Sequence, residues 1–299
     1  MASPLPSTSR RPPPGDGQRL LPATLLLPAT VAALLFICGP LLVLAWQSLL
    51  VHLPGQVGAA ADSALTYRNY LLFASPSYLY FLWGTLRISA YAALLAVLLG
   101  GLIAYRITRI RAGWARKSLI GLMLGLTFLS VLVRVYAISL TFGVGGPAGA
   151  FLRSLGIALG SREYIECVVI LGFLHFLLPI VTLILLGTFQ GISASYHEAA
   201  RSMGVPNWRA HLDTTVRLAV PGLYSAFIVA FSLAASSFVI PLVLGQGKVM
   251  FLANLAYVRF GEMADYPGGA AVSLVLLAIS LAIVGLLGRL LGKRLGRPA

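Results

Sequence analysis

SASYHEAARSMGVPNWRAHLDTTVRLAVPG, residues Ser193 to Gly222, is the longest polar interruption in the C-terminal half of an otherwise hydrophobic chain. Ser195 and Glu198 stand at the spacing of a capping box, in which each side chain satisfies an orphan N–H at a helix start. The spacing predicts a short helix beginning near Tyr196. Gly204 can take the left-handed conformation that a helix end favours, and Pro206 cannot continue the helix. Asn207 is placed to cap a second helix. The stretch thus reads as a helix, a sharp glycine turn and another helix, carrying Glu198, Arg201, Arg209, Asp213 and Arg217. Such a shape offers a rigid knob to a soluble partner.

Composition explains why this polar stretch stands out. With 59% hydrophobic and 10% charged residues over 299 positions, the chain has too little polar surface to cover a soluble globule. An all-α, polytopic membrane protein is expected. The net charge of +14 would suit a nucleic-acid binder, but the basic residues flank apolar runs of spanning length, so they report topology instead and no nucleic-acid partner is expected. Cys38 and Cys167 lie in or beside apolar runs and imply neither a disulfide framework nor a metal site.

Residues 1–22 hold Arg10, Arg11 and Arg19 among prolines and read as a flexible tail. The apolar stretch from Ala23 to Leu50 is longer than a signal-peptide core and lacks a clear cleavage site after it. It is long enough to cross the hydrocarbon layer, which takes about 20 residues. Further spans are expected at Leu79–Tyr105, Leu119–Phe142, Ile165–Phe189, Gly222–Leu244 and Gly269–Leu291, so that residues 23–296 form one six-span domain. Both ends then share a side that carries 15 Lys and Arg, against six on the other, with Arg134 inside a span. The positive-inside rule puts both termini and the polar 190–221 loop in the cytosol, with the spans in contact with lipid. Gly121 and Gly125 are spaced for close helix packing, a weak signal.

The central stretch resembles the Glu-Ala-Ala loop of binding-protein-dependent ABC importer permeases: Glu198, Ala199, Ala200 and Gly204 match at the family's spacing, and Pro221-Gly222 matches its closing proline. Arg217 and Thr214 stand where that family usually has Pro and an aliphatic residue. LVRVYAISLTFG (132–143), GPAGAFLRSLGI (146–157), FVIPLVLGQGKVMFLANLAYVRF (238–260) and DYPGGAA (265–271) are similar to the spermidine/putrescine subfamily, so the likeness covers roughly 80–290. The resemblance implies the methionine-importer-like fold of type I importers, in a bacterial inner membrane. It also implies a second permease subunit, cytosolic ABC ATPase subunits and an outer substrate-binding protein as partners. Glu198, Ala199, Ala200, Arg201, Gly204 and Pro221 would then couple the spans to an ATPase. Polyamine is the implied cargo, with ferric iron, phosphonate or another small solute as alternatives.

No motif for catalysis competes with this. Gly247-Lys248 is followed by Val249 and lacks the upstream glycine of a P-loop, and neither GxSxG nor HExxH occurs. The chain is expected to be non-catalytic and to hold no cofactor or metal, ATP being bound by a partner subunit. Ionisable residues within spans raise functional hypotheses by default. Arg134, Tyr136, Glu163, His175, Asp265 and Tyr266 are therefore the candidates for the substrate path or the outer mouth. Arg134 is expected near the outer interface, paired with Glu163 or Glu166. His175 is either a packed helix residue or a pathway residue. An autonomous channel or secondary transporter remains the competing class.

Overall fold

The computed structural model describes residues 16–60, 63–193, 195–204, 206, 209 and 211–294, without the side chains of 16–26, 29, 197–199, 211–213 and 290–294. The expected cap at Asn207, the Glu198 half of the capping box, the side chain of Ala199 and residues 1–15 of the tail lie outside that description.

The described residues are helical, with spans at Thr30–Ser48, Pro76–Arg109, Val131–Ser154, Arg162–Gln190, Thr214–Ser236 and Tyr266–Arg289 long and apolar enough to cross a membrane. Helix α1 runs Asp16–Ser48, so the helix starts ahead of Ala23 and takes in the last residues of the expected tail. After a short helix α2 (Arg68–Leu71) comes α3 (Pro76–Arg109). Its 34 residues extend about 51 Å at 1.5 Å per residue, well past a hydrocarbon layer of about 30 Å.

The core forms where α3 meets α7 (Arg162–Gln190). One face of α3 is a run of small residues, Ala92, Ala93, Ala96, Gly100 and Ala104, all buried, and small side chains let helices approach closely in a membrane. A Cβ at Gly100 would stand 3.0 Å from Val181. Helix α9 (Arg217–Ser236) packs on both, with Gly222 against Thr188. A Cβ at Gly121 or Gly125 would meet nothing within 4 Å among the described residues, so the weak GxxxG signal corresponds to no contact there, and close approaches are made elsewhere.

Two spans depart from the expected boundaries. The run 119–142 is not one helix: α4 (Gly113–Phe128) and α5 (Val131–Phe142) are separated by Leu129 and Ser130 in extended conformation, and α6 (Pro147–Ser154) follows. Neither α4 nor α5 alone, at 16 and 12 residues, reaches the roughly 20 needed to span; the 24-residue segment Val131–Ser154 that does so comprises α5, a turn and α6. The fifth span also ends early, because Ser237 is extended and a separate helix α10 (Val239–Leu244) follows before α11 (Leu252–Tyr257) and α12 (Tyr266–Arg294). No proline or glycine lies at Leu129–Ser130, whereas Pro241, four residues after Ser237, cannot donate to the Ser237 carbonyl and crowds it; α10 lies against both α5 and α7.

Cross-links between loops define the two ends of the bundle. At one end Asn69 Nδ2 donates to the carbonyls of Ser48 and Leu50, Gly58 N–H donates to Ala264, and Lys248 Nζ donates to Gly160. The loops 49–75, 143–161 and 245–265 therefore gather there. The segment joining α3 to α4 and the polar 190–216 stretch gather at the other. Helix α1 packs on α12 at the margin and leaves Leu34, Leu35, Phe36 and Leu42 exposed, a surface suited to lipid.

A candidate coupling helix and an outer mouth

The polar loop begins where α7 stops at Gly191, whose N–H reaches back to Gly187 at 3.2 Å. Helix α8 covers Ser195–Ser202. Ser195 is its first residue rather than the expected cap, since its hydroxyl meets that of Ser193 at 2.8 Å and its N–H donates to Ser193 Oγ at 3.3 Å. Ser193 thus performs locally the turn chemistry that Ser195 was expected to supply. Ala200 is buried in α8, while Tyr196, Arg201 and Ser202, and Met203 just after the helix, are exposed. Gly204 has φ +79°, its N–H bonds to Arg201 at 3.0 Å, and a Cβ there would meet nothing within 4 Å. The left-handed turn expected from sequence is present, and the residue faces open space.

The chain then re-enters the bundle sooner than Pro221 suggested. A π-helical turn, His211–Val216, leads directly into α9, so Pro221 lies inside that helix and exposed instead of closing a loop. A proline ring crowds the carbonyl four residues earlier and cannot donate to it. That residue is Arg217, where the wide turn gives way to α-helix, and local widening is one way to accommodate the conflict. Behind α8, a cavity of ≈ 270 Å³ is walled by both ends of the loop (Ser193, Tyr196, Thr215) and by Arg109 and Arg116 of the α3–α4 region. The rings of Tyr105 and Phe189 meet edge to face at 5.8 Å beside it. The helical knob packs against the π-helical turn, and the cavity lies between its Tyr196 and residues of α3, α4 and α7.

At the opposite end the expected mouth pair divides. Asp265 is buried: Oδ1 accepts from Gly268 N–H at 2.8 Å, capping α12, and Oδ2 takes the guanidinium of Arg259, which also donates to Tyr78 Oη. Both carboxylate oxygens of Asp265 are thus engaged within the chain, at a helix start and on a buried cation. Tyr266 is 41% exposed, with its ring against Phe260, and is available for contact. Glu163 is exposed in the first turn of α7, where a negative charge complements the helix dipole. Glu166 holds both Arg87 and Arg162, and Arg162 lies 4.3 Å over the Tyr80 ring. Arg87, counted with the outer loops from sequence, is in the interior of α3.

Arg134 pairs with neither expected acid. It is 3% exposed in the first turn of α5, donates from Nη1 to the backbone carbonyl of His175 at 3.4 Å and lies 5.9 Å over the Phe176 ring. Glu166 is already occupied, and the contact at His175 places Arg134 thirteen residues along α7 from Arg162, about 20 Å from the helix start at 1.5 Å per residue. The side chain is thus far below Glu163 and Glu166. Arg134 and His175 do come together, lining a groove of ≈ 220 Å³ with Val133 and Thr141. Tyr136 is 56% exposed on the same helix but does not line that groove. Asn254 was missed from sequence. It is buried, donates to the Phe238 carbonyl at 2.7 Å and accepts from Phe251 N–H at 3.0 Å, tying α10 to α11. A lone amide inside LANLAY was its only signal.

The family described as binding-protein-dependent transport system inner membrane component matches residues 96–297. Among curated proteins, the spermidine/putrescine transport system permease protein PotB of Haemophilus influenzae is 26% identical over 235 residues, covering 77% of this chain and 82% of the relative. The protein of that name from Escherichia coli K12 is 24% identical over 268 residues, covering 84% and 97%. Among solved structures, a bacterial alginate ABC transporter in complex with an alginate pentasaccharide-bound periplasmic protein aligns at a TM-score of 0.74 with 16% identity, over 93% of this chain and 96% of that one. At that identity the likeness concerns the fold.

Proposed function

Because the chain belongs to the family of binding-protein-dependent transport system inner membrane components, and is a multi-pass ABC importer permease, we propose that its cargo is a polyamine and that α8 is the element through which an ATPase drives it. The observation that carries this reading is the Glu198-Ala199-Ala200 triplet on a short helix closed by a left-handed Gly204. That helix stands at the end of the bundle where Arg106, Arg109, Arg111, Arg116 and Lys117 also cluster. Coupling needs a rigid body, because ATPase closure moves the spans only through an element that does not bend. A short helix closed by a left-handed turn and packed on the π-helical turn that leads into α9 fits that demand. The basic cluster favours a cytosolic position for this end and for both termini.

A second permease subunit is supported by the break at Leu129–Ser130, which is exposed here. Irregular backbone at membrane depth is tolerated where protein or a water-filled path covers it, not against lipid. The outer end, with Tyr266, would receive a loaded binding protein. Polyamine as cargo is supported by the spermidine/putrescine relatives. The chain itself performs no ATP hydrolysis in this scheme.

The test is uptake of labelled putrescine and spermidine by proteoliposomes containing the permease pair, its ATPase and its binding protein. Accumulation should require ATP, the ATPase and the binding protein together. Transport that persists without the ATPase would place the chain among autonomous channels or secondary transporters instead.

A further inference from the structure

We propose that the furrow between α9, α11 and α12 is a transit site for the ammonium groups of the cargo. This rests on the importer reading above and gives its polyamine clause a place in the molecule. The furrow holds ≈ 600 Å³; Ser232, Ser236, Ser273 and Ser280 line it together with Phe238, Tyr257 and aliphatic side chains of α11 and α12, with no charged side chain among the described lining residues.

The hydroxyl chemistry is selective. Ser236 Oγ donates to the carbonyl of Ser232 at 2.8 Å, and Ser273 Oγ donates to that of Gly269 at 3.0 Å. A serine hydroxyl has one proton and two lone pairs, so each of these spends its proton inside its own helix and keeps acceptor capacity. A solute that offers only acceptors gains nothing from Ser236 or Ser273, whereas an ammonium group brings three donors and no acceptor.

The aromatic pair adds the same preference. Phe238 and Tyr257 stack at 5.4 Å with 17° between their planes, and both remain substantially exposed. A cation is attracted to an aromatic face. The pair is preorganised, because buried Asn254 fixes the Phe238 carbonyl and Phe251 N–H at once.

The groups fall in order along the furrow. Helix α9 ends at Ser236 and α12 starts at Tyr266, so the aromatic pair lies toward the end gathered around 245–265, Ser236 and Ser273 come next, and Ser232 and Ser280 lie deeper. Ser232 and Ser236 are separated by about 6 Å of helix rise, and Ser273 and Ser280 by about 10 Å. The first is comparable to the nitrogen separation of an extended four-carbon diamine. A carboxylate here would hold a dication tightly, and a conducting site must bind weakly enough to release. Neutral acceptors and ring faces meet that condition.

Two measurements test the site in the assembled transporter. In a Cys38→Ser, Cys167→Ser background, Ser236→Cys should react several times faster with an ammonium-bearing methanethiosulfonate than with a sulfonate-bearing one, and putrescine should slow the reaction. Equal rates for the two reagents, or indifference to putrescine, would overturn the proposal. In proteoliposomes, replacing Ser232, Ser236, Ser273 and Ser280 by alanine, which helices accept well, should lower the cargo delivered per ATP hydrolysed by about tenfold, the equivalent of one lost hydrogen bond to a charge. Tyr257→Leu should lower the same ratio, which does not depend on how much transporter assembles. An unchanged ratio in both variants would also overturn the proposal. If the wild type imports no polyamine, the cargo reading fails by itself, and the labelling arm still judges the furrow.

Discussion

Replacing Gly204 by alanine, asparagine and aspartate separates two demands that the turn after α8 makes on this position. The residue has φ +79° and a Cβ there would meet nothing within 4 Å, so the protein's own atoms do not oppose a side chain. The intramolecular cost is backbone strain alone, about 1–2 kcal/mol for alanine in the left-handed region. If that strain falls on the docked geometry, the competent population drops by about fivefold to thirtyfold, since 1.4 kcal/mol is a factor of ten. Asparagine and aspartate tolerate this conformation, so they test room and charge at the docking face rather than strain. With membrane abundance matched, Gly204→Ala should lose most ATPase co-purification and cargo uptake. Gly204→Asn should recover part of both, and Gly204→Asp should recover less because its charge meets the docking surface. Normal uptake together with normal co-purification in both the alanine and the aspartate variants would refute the coupling role.

Asp265→Ala removes the cap of α12 and leaves the Arg259 guanidinium without its acid; a loss of at least about 3 kcal/mol is expected, read as a lower melting temperature in detergent, and an unchanged melt would refute the capping role. Gly222→Ala places a methyl group onto the Thr188 side chain and should cost about 1–3 kcal/mol by overpacking, seen in the same melts. Arg134→Met exchanges a buried guanidinium whose Nε and Nη2 have no hydrogen-bond partner among the described residues for an apolar chain, so the isolated subunit should melt no lower than wild type. A clear drop would mean that those donors are satisfied. Reporter fusions after Gly55, Gly160 and Gly261 should report the outer side and one after Gly113 the cytosol; an outward Gly113 would invert the topology.

How far these outcomes could be anticipated from residues alone depends on the distance over which each feature is decided. The six crossings follow from composition over about 20 residues, and they appear in the structure with the expected number. The left-handed turn at Gly204 is decided within a few residues, and it too was legible. The break at Leu129–Ser130 has no glycine or proline and arises in packing between elements far apart in the chain, so a continuous apolar run concealed it. The partners of charged groups are less local still. Asp265 reads as a polar residue at a helix mouth, and only the return of Arg259 and Tyr78 turns it into a buried anchor. Arg134 shows the same limit from the other side, because the acids nearest in sequence order lie too far up α7 for its guanidinium to reach. A pairing rule written on sequence distance selects them; the helix rise excludes them. What the sequence does carry about a membrane permease is therefore its apolar lengths, its turn chemistry and its charge bias. The seams along which a cargo would move, including the hydroxyl-lined furrow between α9 and α12, come from helices that meet only in three dimensions.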